Sequence, residues 1–156
     1  MPTAQPEVVT QGTDPRLRHE VEEFYARHSQ AGDGGDPVAW AAGFARAGTF
    51  TSNARPEPVT GRQVIEEAVT RMFADRAAEG VVHRHMLTQL ALEQRPDGLL
   101  LARAYVLVVA TRRGAEDGAP TLLASTVCED VLTREDGRLR ILSRHVDRDD
   151  LPPATR

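Results

Sequence analysis

The sequence predicts an α+β domain in which three helices come first and a curved antiparallel sheet then wraps on them as a cone-shaped α+β barrel, helices on the concave side. Three observations predict it. Helix-start signals are confined to the first half, at Asp14-Pro15, Asp36-Pro37 and Thr60-Gly61-Arg62-Gln63. From Val81 onward the pattern changes to long strand-like segments, rich in β-branched residues and spaced for alternation. Between these segments stand Arg95-Pro96-Asp97-Gly98, the polar stretch 112–120 and Glu135-Asp136-Gly137, each of which reads as a hairpin loop. Four strands joined by hairpins form an antiparallel meander.

Residues 1–13 are rich in Pro, Gln, Thr and Gly with no period and are expected to form a flexible arm. A single domain is expected over 14–150 and a flexible tail over 151–156, where Pro152-Pro153 stands. Asp14 as N-cap and Pro15 in the first turn open a helix whose apolar face is Leu17, Val21, Phe24 and Tyr25 and which runs to about residue 29. Gly32-Asp33-Gly34-Gly35 breaks it. A short second helix follows Asp36-Pro37, with Val38, Trp40, Ala41 and Phe44 on its apolar side. Residues 48–52 read as a brief strand, and Arg55-Pro56-Glu57-Pro58 as a loop or a sheet edge, because Pro cannot donate to a ladder. A capping box between Thr60 and Gln63 starts the third helix, whose buried stripe is Val64, Ile65, Ala68, Val69, Met72 and Phe73 and which stops near Gly80. Strands are expected over 83–93, 99–111, 121–132 and 139–146.

Composition excludes several classes of function. At 156 residues the chain has room for one ordinary core, and a net charge of -4 argues against a nucleic-acid or anionic-membrane surface as partner. Its basic side chains are all Arg, so no lysine Schiff base can form. Cys128 is the single cysteine, which rules out an intrachain disulfide and a thiolate zinc cluster. No apolar run approaches a membrane span and the N-terminus carries neither a basic leader nor an apolar signal core, so the protein is expected in the cytoplasm. Phosphate-binding glycine loops and serine nucleophile elbows are absent. His83 and His85, two apart, could chelate, but no acidic partner at metal-site spacing supports it, and no metal is expected.

What remains is acid-base chemistry in an apolar chamber, which the small residues Ala102, Ala104 and Ala110 leave room for. Alternation along a strand puts His83, His85, Leu87, Gln89 and Ala91 on one face. His85 reads either as a hydrogen-bonded structural residue or as the proton carrier, since imidazole as a group titrates near neutrality. Asp33, in the glycine-rich corner, reads either as a turn-stabilising side chain or as the carboxylate that orients or assists that imidazole. Tyr105 could offer its hydroxyl to a substrate oxygen or pack in the core, and the length of the 95–98 turn decides which side of the sheet it takes. Asp130, Arg140 and Arg144 could pair across the last two strands and fix register; Cys128 and His145 read as structural, and His19 and His28 as helix-surface residues.

Phe24-Tyr25-Ala26-Arg27 with Ala31-Gly32-Asp33, Trp40-Ala41 with Phe44, Gly61 with Ile65, Arg84-His85, and Asp136-Gly137-Arg138-Leu139-Arg140-Ile141 with Arg144 follow one another in a specific order. In that order the chain, over about 14–150, resembles the nuclear transport factor 2-like superfamily, and within it the SnoaL-like and scytalone dehydratase-like group. The resemblance implies a cone-shaped barrel, usually a homodimer and here one formed through the sheet, without cofactor. It also implies an Asp/His pair in a deep apolar pocket, matched in position by Asp33 and His85. Asp33 stands between glycines where relatives tend to have Leu-Asp, and no second pocket histidine is matched. The implied function is a cofactor-independent polyketide-type cyclase, dehydratase or isomerase acting on a hydrophobic natural-product intermediate. In it Gln89 or Tyr105 would hold an oxygen, and Trp40, Phe44, Met72 and Leu87 would contact the substrate. The alternative is a binding or assembly module built on the same cone, like the small subunits of multi-component oxygenases.

Overall fold

Asp14 accepts a hydrogen bond from the Arg16 amide at 2.9 Å and Pro15 occupies the first turn, so α1 (Pro15–Asp33) begins where its capping signal stands. The structure, a computed structural model, describes residues 12–154; the expected arm and the end of the expected tail fall largely outside the described residues. Helix α1 is about one turn longer than its glycines predict. Gly34 donates to the Gln30 carbonyl at 2.8 Å, which closes the turn through Gly32, and Asp33 becomes its last residue. Gly32 is needed there for space: a Cβ would lie 2.7 Å from Trp40 Cδ1.

Asp36 caps α2 (Pro37–Ala41) through a 2.9 Å bond from the Ala39 amide. Phe44 is not part of that helix but opens β1 (Phe44–Ser52), and Arg55-Pro56-Glu57-Pro58 lies in the edge strand β2 (Arg55–Thr60). The capping box does not form. Thr60 is held extended opposite Thr49 in the β1–β2 ladder, so Gly61, at φ +97, makes the turn into α3 (Arg62–Glu79), and Gln63 bonds Glu67. Four long strands follow: β3 (Val81–Gln94), β4 (Leu100–Arg112), β5 (Thr121–Glu135) and β6 (Arg138–Arg148).

The six strands form one sheet in the order β2-β1-β6-β5-β4-β3. Its pairs are antiparallel except that β1 runs parallel to β6, because the chain crosses the concave side through α3 before the meander returns. Breaks in register within β1 and at Gln89-Leu90, Val108-Val109 and Val131-Leu132 add bulges, which bend and twist strands and so curve the sheet around the helices. Val21, Phe44, Leu132 and Ile141 are fully buried in the core beside the helices, and Ile65 between that core and the remaining space, each contributing roughly 1.5–3 kcal/mol of transfer free energy. With these side chains filling one end, the space between the helices and the sheet stays open at the other.

Candidate active site

That space is a cavity of about 310 Å³. Trp40 from α2, Ile65, Val69, Met72 and Phe73 from α3, and Leu87 from β3 make most of its wall apolar. No helix among the described residues is long and apolar enough to cross a membrane, and none of their His, Cys, Asp and Glu side chains group to hold a metal ion.

At one side of the cavity the end of α1 meets β3. Asp33 Oδ1 lies 2.6 Å from His85 Nδ1, and Asp33 Oδ2 accepts from the His85 amide at 2.9 Å. Burial works to raise the carboxyl's pKa; the bonds from the His85 ring and amide outweigh it and hold Asp33 below its usual value. An ionised carboxylate only accepts, so in neutral His85 the proton sits on Nδ1 and Nε2 keeps its lone pair. His85 lines the cavity, and Nε2 is the nitrogen it has left to offer a ligand.

The floor is a second polar cluster. Asp130 on β5 stands directly opposite Arg144 on β6 in register and is gripped by Nε at 2.9 Å and Nη2 at 2.8 Å. Tyr25 donates its hydroxyl to Asp130 at 2.8 Å, and Arg144 Nη1 donates to His28 Nε2 at 3.0 Å. Burial alone would lower the pKa of Arg144, but Asp130 more than offsets it and the guanidinium stays charged. Burial, then Arg144, pushes His28 well below its usual value, and burial followed by Asp130 pushes Tyr25 well above. Because Arg144 can only donate, His28 is neutral with its proton on Nδ1, stacked between Phe24 and Trp40 at centroid distances of 5.9 and 4.9 Å. It therefore has no lone pair to spare for a substrate.

A model of the SnoaL-like domain matches residues 15–145 of this chain. The chain belongs to the SnoaL-like family. Solved structures agree. ActVI-ORFA from Streptomyces coelicolor is 31% identical with a TM-score of 0.81, over 90% of this chain and 100% of that one. Aln2 from another Streptomyces species is 31% identical with a TM-score of 0.79, over 90% and 96% of the two chains. A Catenulispora acidiphila protein in complex with S-DNPA is 34% identical with a TM-score of 0.74, over 88% and 96%. No curated protein matches the sequence.

In this SnoaL-like chain the fold brings together Asp33, His85, Trp40, Met72 and Leu87, and leaves three of the expected site residues out. Gln89 does not continue the face of His85 and Leu87. It sits at a bulge with φ +55, exposed, and the extra residue there turns Ala91 outward against Arg103 as well. Tyr105 pairs with Thr88 while Val106 pairs with Leu87, so Tyr105 takes the opposite side of the sheet, 46% exposed, with Arg103 5.7 Å from its ring centroid. Phe44 is wholly buried behind Trp40, centroids 5.2 Å apart, and belongs to the core.

The SnoaL-like pocket also holds residues that the sequence reading placed elsewhere. His28 is not on a helix surface: it falls three after Tyr25 and seven after Val21, and extending the Leu17–Val21–Phe24–Tyr25 stripe one step would have turned it inward. Asp130 and Arg144 are buried partners, whereas Arg140 stands opposite Thr133 and pairs with neither. The signal available was parity, since Asp130 alternates with Cys128 and Leu132 on one face of β5.

Proposed function

We propose that this protein is a cofactor-independent enzyme that moves a proton on a hydrophobic, polyketide-type intermediate, as a cyclase, dehydratase or isomerase. The observation that carries the reading is the 2.6 Å bond from His85 Nδ1 to the Asp33 carboxylate on the wall of a mostly apolar cavity. A carboxylate in that position orients the ring, keeps the lone pair on Nε2 and stabilises the imidazolium that forms when Nε2 takes a proton.

Nε2 would accept a proton from an acidic C–H of the substrate, and the electron pair would move onto the adjacent carbonyl oxygen. Asp130 and His28 take three of the five guanidinium N–H donors of Arg144, and the others are free for such an oxyanion. Arg144 thus takes the oxygen-holding part that Tyr105 and Gln89 do not reach. Attack of the enolate carbon on a carbonyl carbon closes a ring, and the alkoxide so formed takes the proton back from the imidazolium; collapse with loss of hydroxide, protonated by the imidazolium, is a dehydration. The wall would fold the substrate toward the reactive shape. The complex of the Catenulispora acidiphila relative with S-DNPA supports a small-molecule ligand for this kind of fold.

We also propose a homodimer through the outer face of the sheet, where Met86 and Leu122 are 56% and 60% exposed. These flank Leu107 and Val109 in register, an apolar strip that a second sheet would cover.

The deciding experiment is turnover in an extract of the producing cell, with wild type and His85→Ala in parallel. Loss of about 10²–10⁴-fold in product formation is expected for proton transfer by a positioned side chain. Equal product from both proteins rejects acid-base catalysis and leaves substrate folding or binding alone.

A further inference from the structure

A second line of polar side chains stands on the outer face of the sheet, away from the cavity. Thr51 on β1 pairs with His145 on β6 in register, and its hydroxyl oxygen lies 2.7 Å from His145 Nδ1. On the other side of the ring, Nε2 lies 3.0 Å from Asp147 Oδ1. The His145 and Asp147 side chains are 22% and 27% exposed, partly withdrawn from water. Thr51 and His145 both line an open groove of about 1170 Å³, bordered by the β1–β2 hairpin and by Pro152-Pro153. Along β4 the groove lies at Leu101 and Arg103, on the far side of Tyr105 from Leu107 and Val109, so it and the proposed dimer contact occupy different parts of the face.

The protons in this line follow from what each group can do. A carboxylate only accepts, so Nε2 carries a proton for Asp147 and, in the neutral ring, Nδ1 keeps its lone pair. Thr51 then donates to Nδ1, and its own oxygen keeps both lone pairs. A proton arriving on the ring costs no bond: Nδ1 then donates to the Thr51 oxygen, whose hydroxyl turns to the Arg144 carbonyl 3.3 Å away. Pinning β1 to β6 needs only the hydroxyl-to-ring bond. The carboxylate behind the ring adds what a base needs, a fixed tautomer and a partner for the imidazolium.

We infer that Thr51 is an acyl-accepting nucleophile, with His145 as its base and Asp147 as the positioning residue, and that its substrate is an activated ester entering the outer groove. Thr51 Oγ1 attacks the ester carbonyl carbon as its proton passes to Nδ1. The bond from that carbon to the leaving oxygen then breaks, the leaving group takes the proton from the imidazolium, and the acyl group stays on Thr51 as an ester. Water, giving a proton to Nδ1, attacks this ester in turn; return of that proton to Oγ1 frees the hydroxyl and releases the acid. Arg55, exposed on the same groove and in no ion pair among the described residues, is the cation there for the oxyanion.

The test uses p-nitrophenyl acetate, with nitrophenolate release followed by stopped flow and the protein by peptide mass spectrometry. The chain has no lysine to compete for the acetyl group. Wild type should show a burst and carry an acetyl group on Thr51. Thr51→Val, which keeps the shape, should abolish the adduct, and His145→Gln should slow acylation by about 10²-fold or more, the scale of general-base assistance. Thr51→Ser should keep the adduct at the same position, which a register contact alone does not explain. His85→Ala should keep it too, separating this site from the imidazole in the cavity. Wild type without acetyl on Thr51, labelling of Thr51 at the wild-type rate in His145→Gln, or loss of the adduct in His85→Ala would overturn the inference.

Discussion

Asp33 and His85, 52 residues apart in the chain, are joined twice: ring to carboxylate at 2.6 Å and amide to carboxylate at 2.9 Å. The second bond ties the end of α1 to the backbone of β3, so the pair fastens the helix to the sheet as well as setting the ring.

That two-point link has a pH signature. Asp33 is held below its ordinary value of 3.8, so its contribution to stability is complete above that value and is lost as the pH falls through the lower folded value. The stability difference between wild type and Asp33→Asn, measured by urea unfolding, should be flat above about pH 4 and shrink below it. A difference that grows on acidification would contradict the assignment.

Arg144 and Asp130 should be costly to separate and cheap to replace together. Arg144→Met alone leaves the Asp130 carboxylate buried without its cation, an expected loss of roughly 3–5 kcal/mol. The double variant Asp130→Leu with Arg144→Met should be less destabilised than either single one, in a double-mutant cycle read by denaturant midpoint.

Cys128 should be inert in the native protein. Burial, with the Asp130 carboxylate adding to it, pushes its thiol up to about 12, and the residue is 6% exposed. At pH 8, iodoacetamide should label it only after denaturation, a result mass spectrometry reads directly.

The proposed homodimer should depend on the sheet's outer face. Met86→Asp and Leu122→Asp each place a charge in the strip and are expected to yield monomers by light scattering, with the unfolding midpoint of the remaining fold little changed. Dimers that persist in both would put any interface elsewhere.

Local chemistry wrote much of this molecule into its sequence. Asp14-Pro15 and Asp36-Pro37 start helices because the cap needs only its own neighbours, and the meander follows from turns whose residues lie side by side. Thr60 shows where such reasoning stops: its capping signal is sound locally, yet a distant ladder partner, Thr49, claims its backbone. Gln89 is the same lesson in a strand, where one bulge cancels an alternation that the letters present as continuous.

By itself the sequence determined the class of fold, the order of its elements, the absence of lysine chemistry and disulfides, and the pairing of Asp33 with His85 through its resemblance to a known group. Only the tertiary structure decided which face Tyr105 takes, that His28 is locked neutral, that Asp130 and Arg144 make a buried floor, and that Thr51, His145 and Asp147 fall in line. The reason is range. Caps, turns and periodicity depend on residues a few positions apart. A side chain's partners and its distance from water depend on strand register and bulges, which residues far apart in the chain settle together.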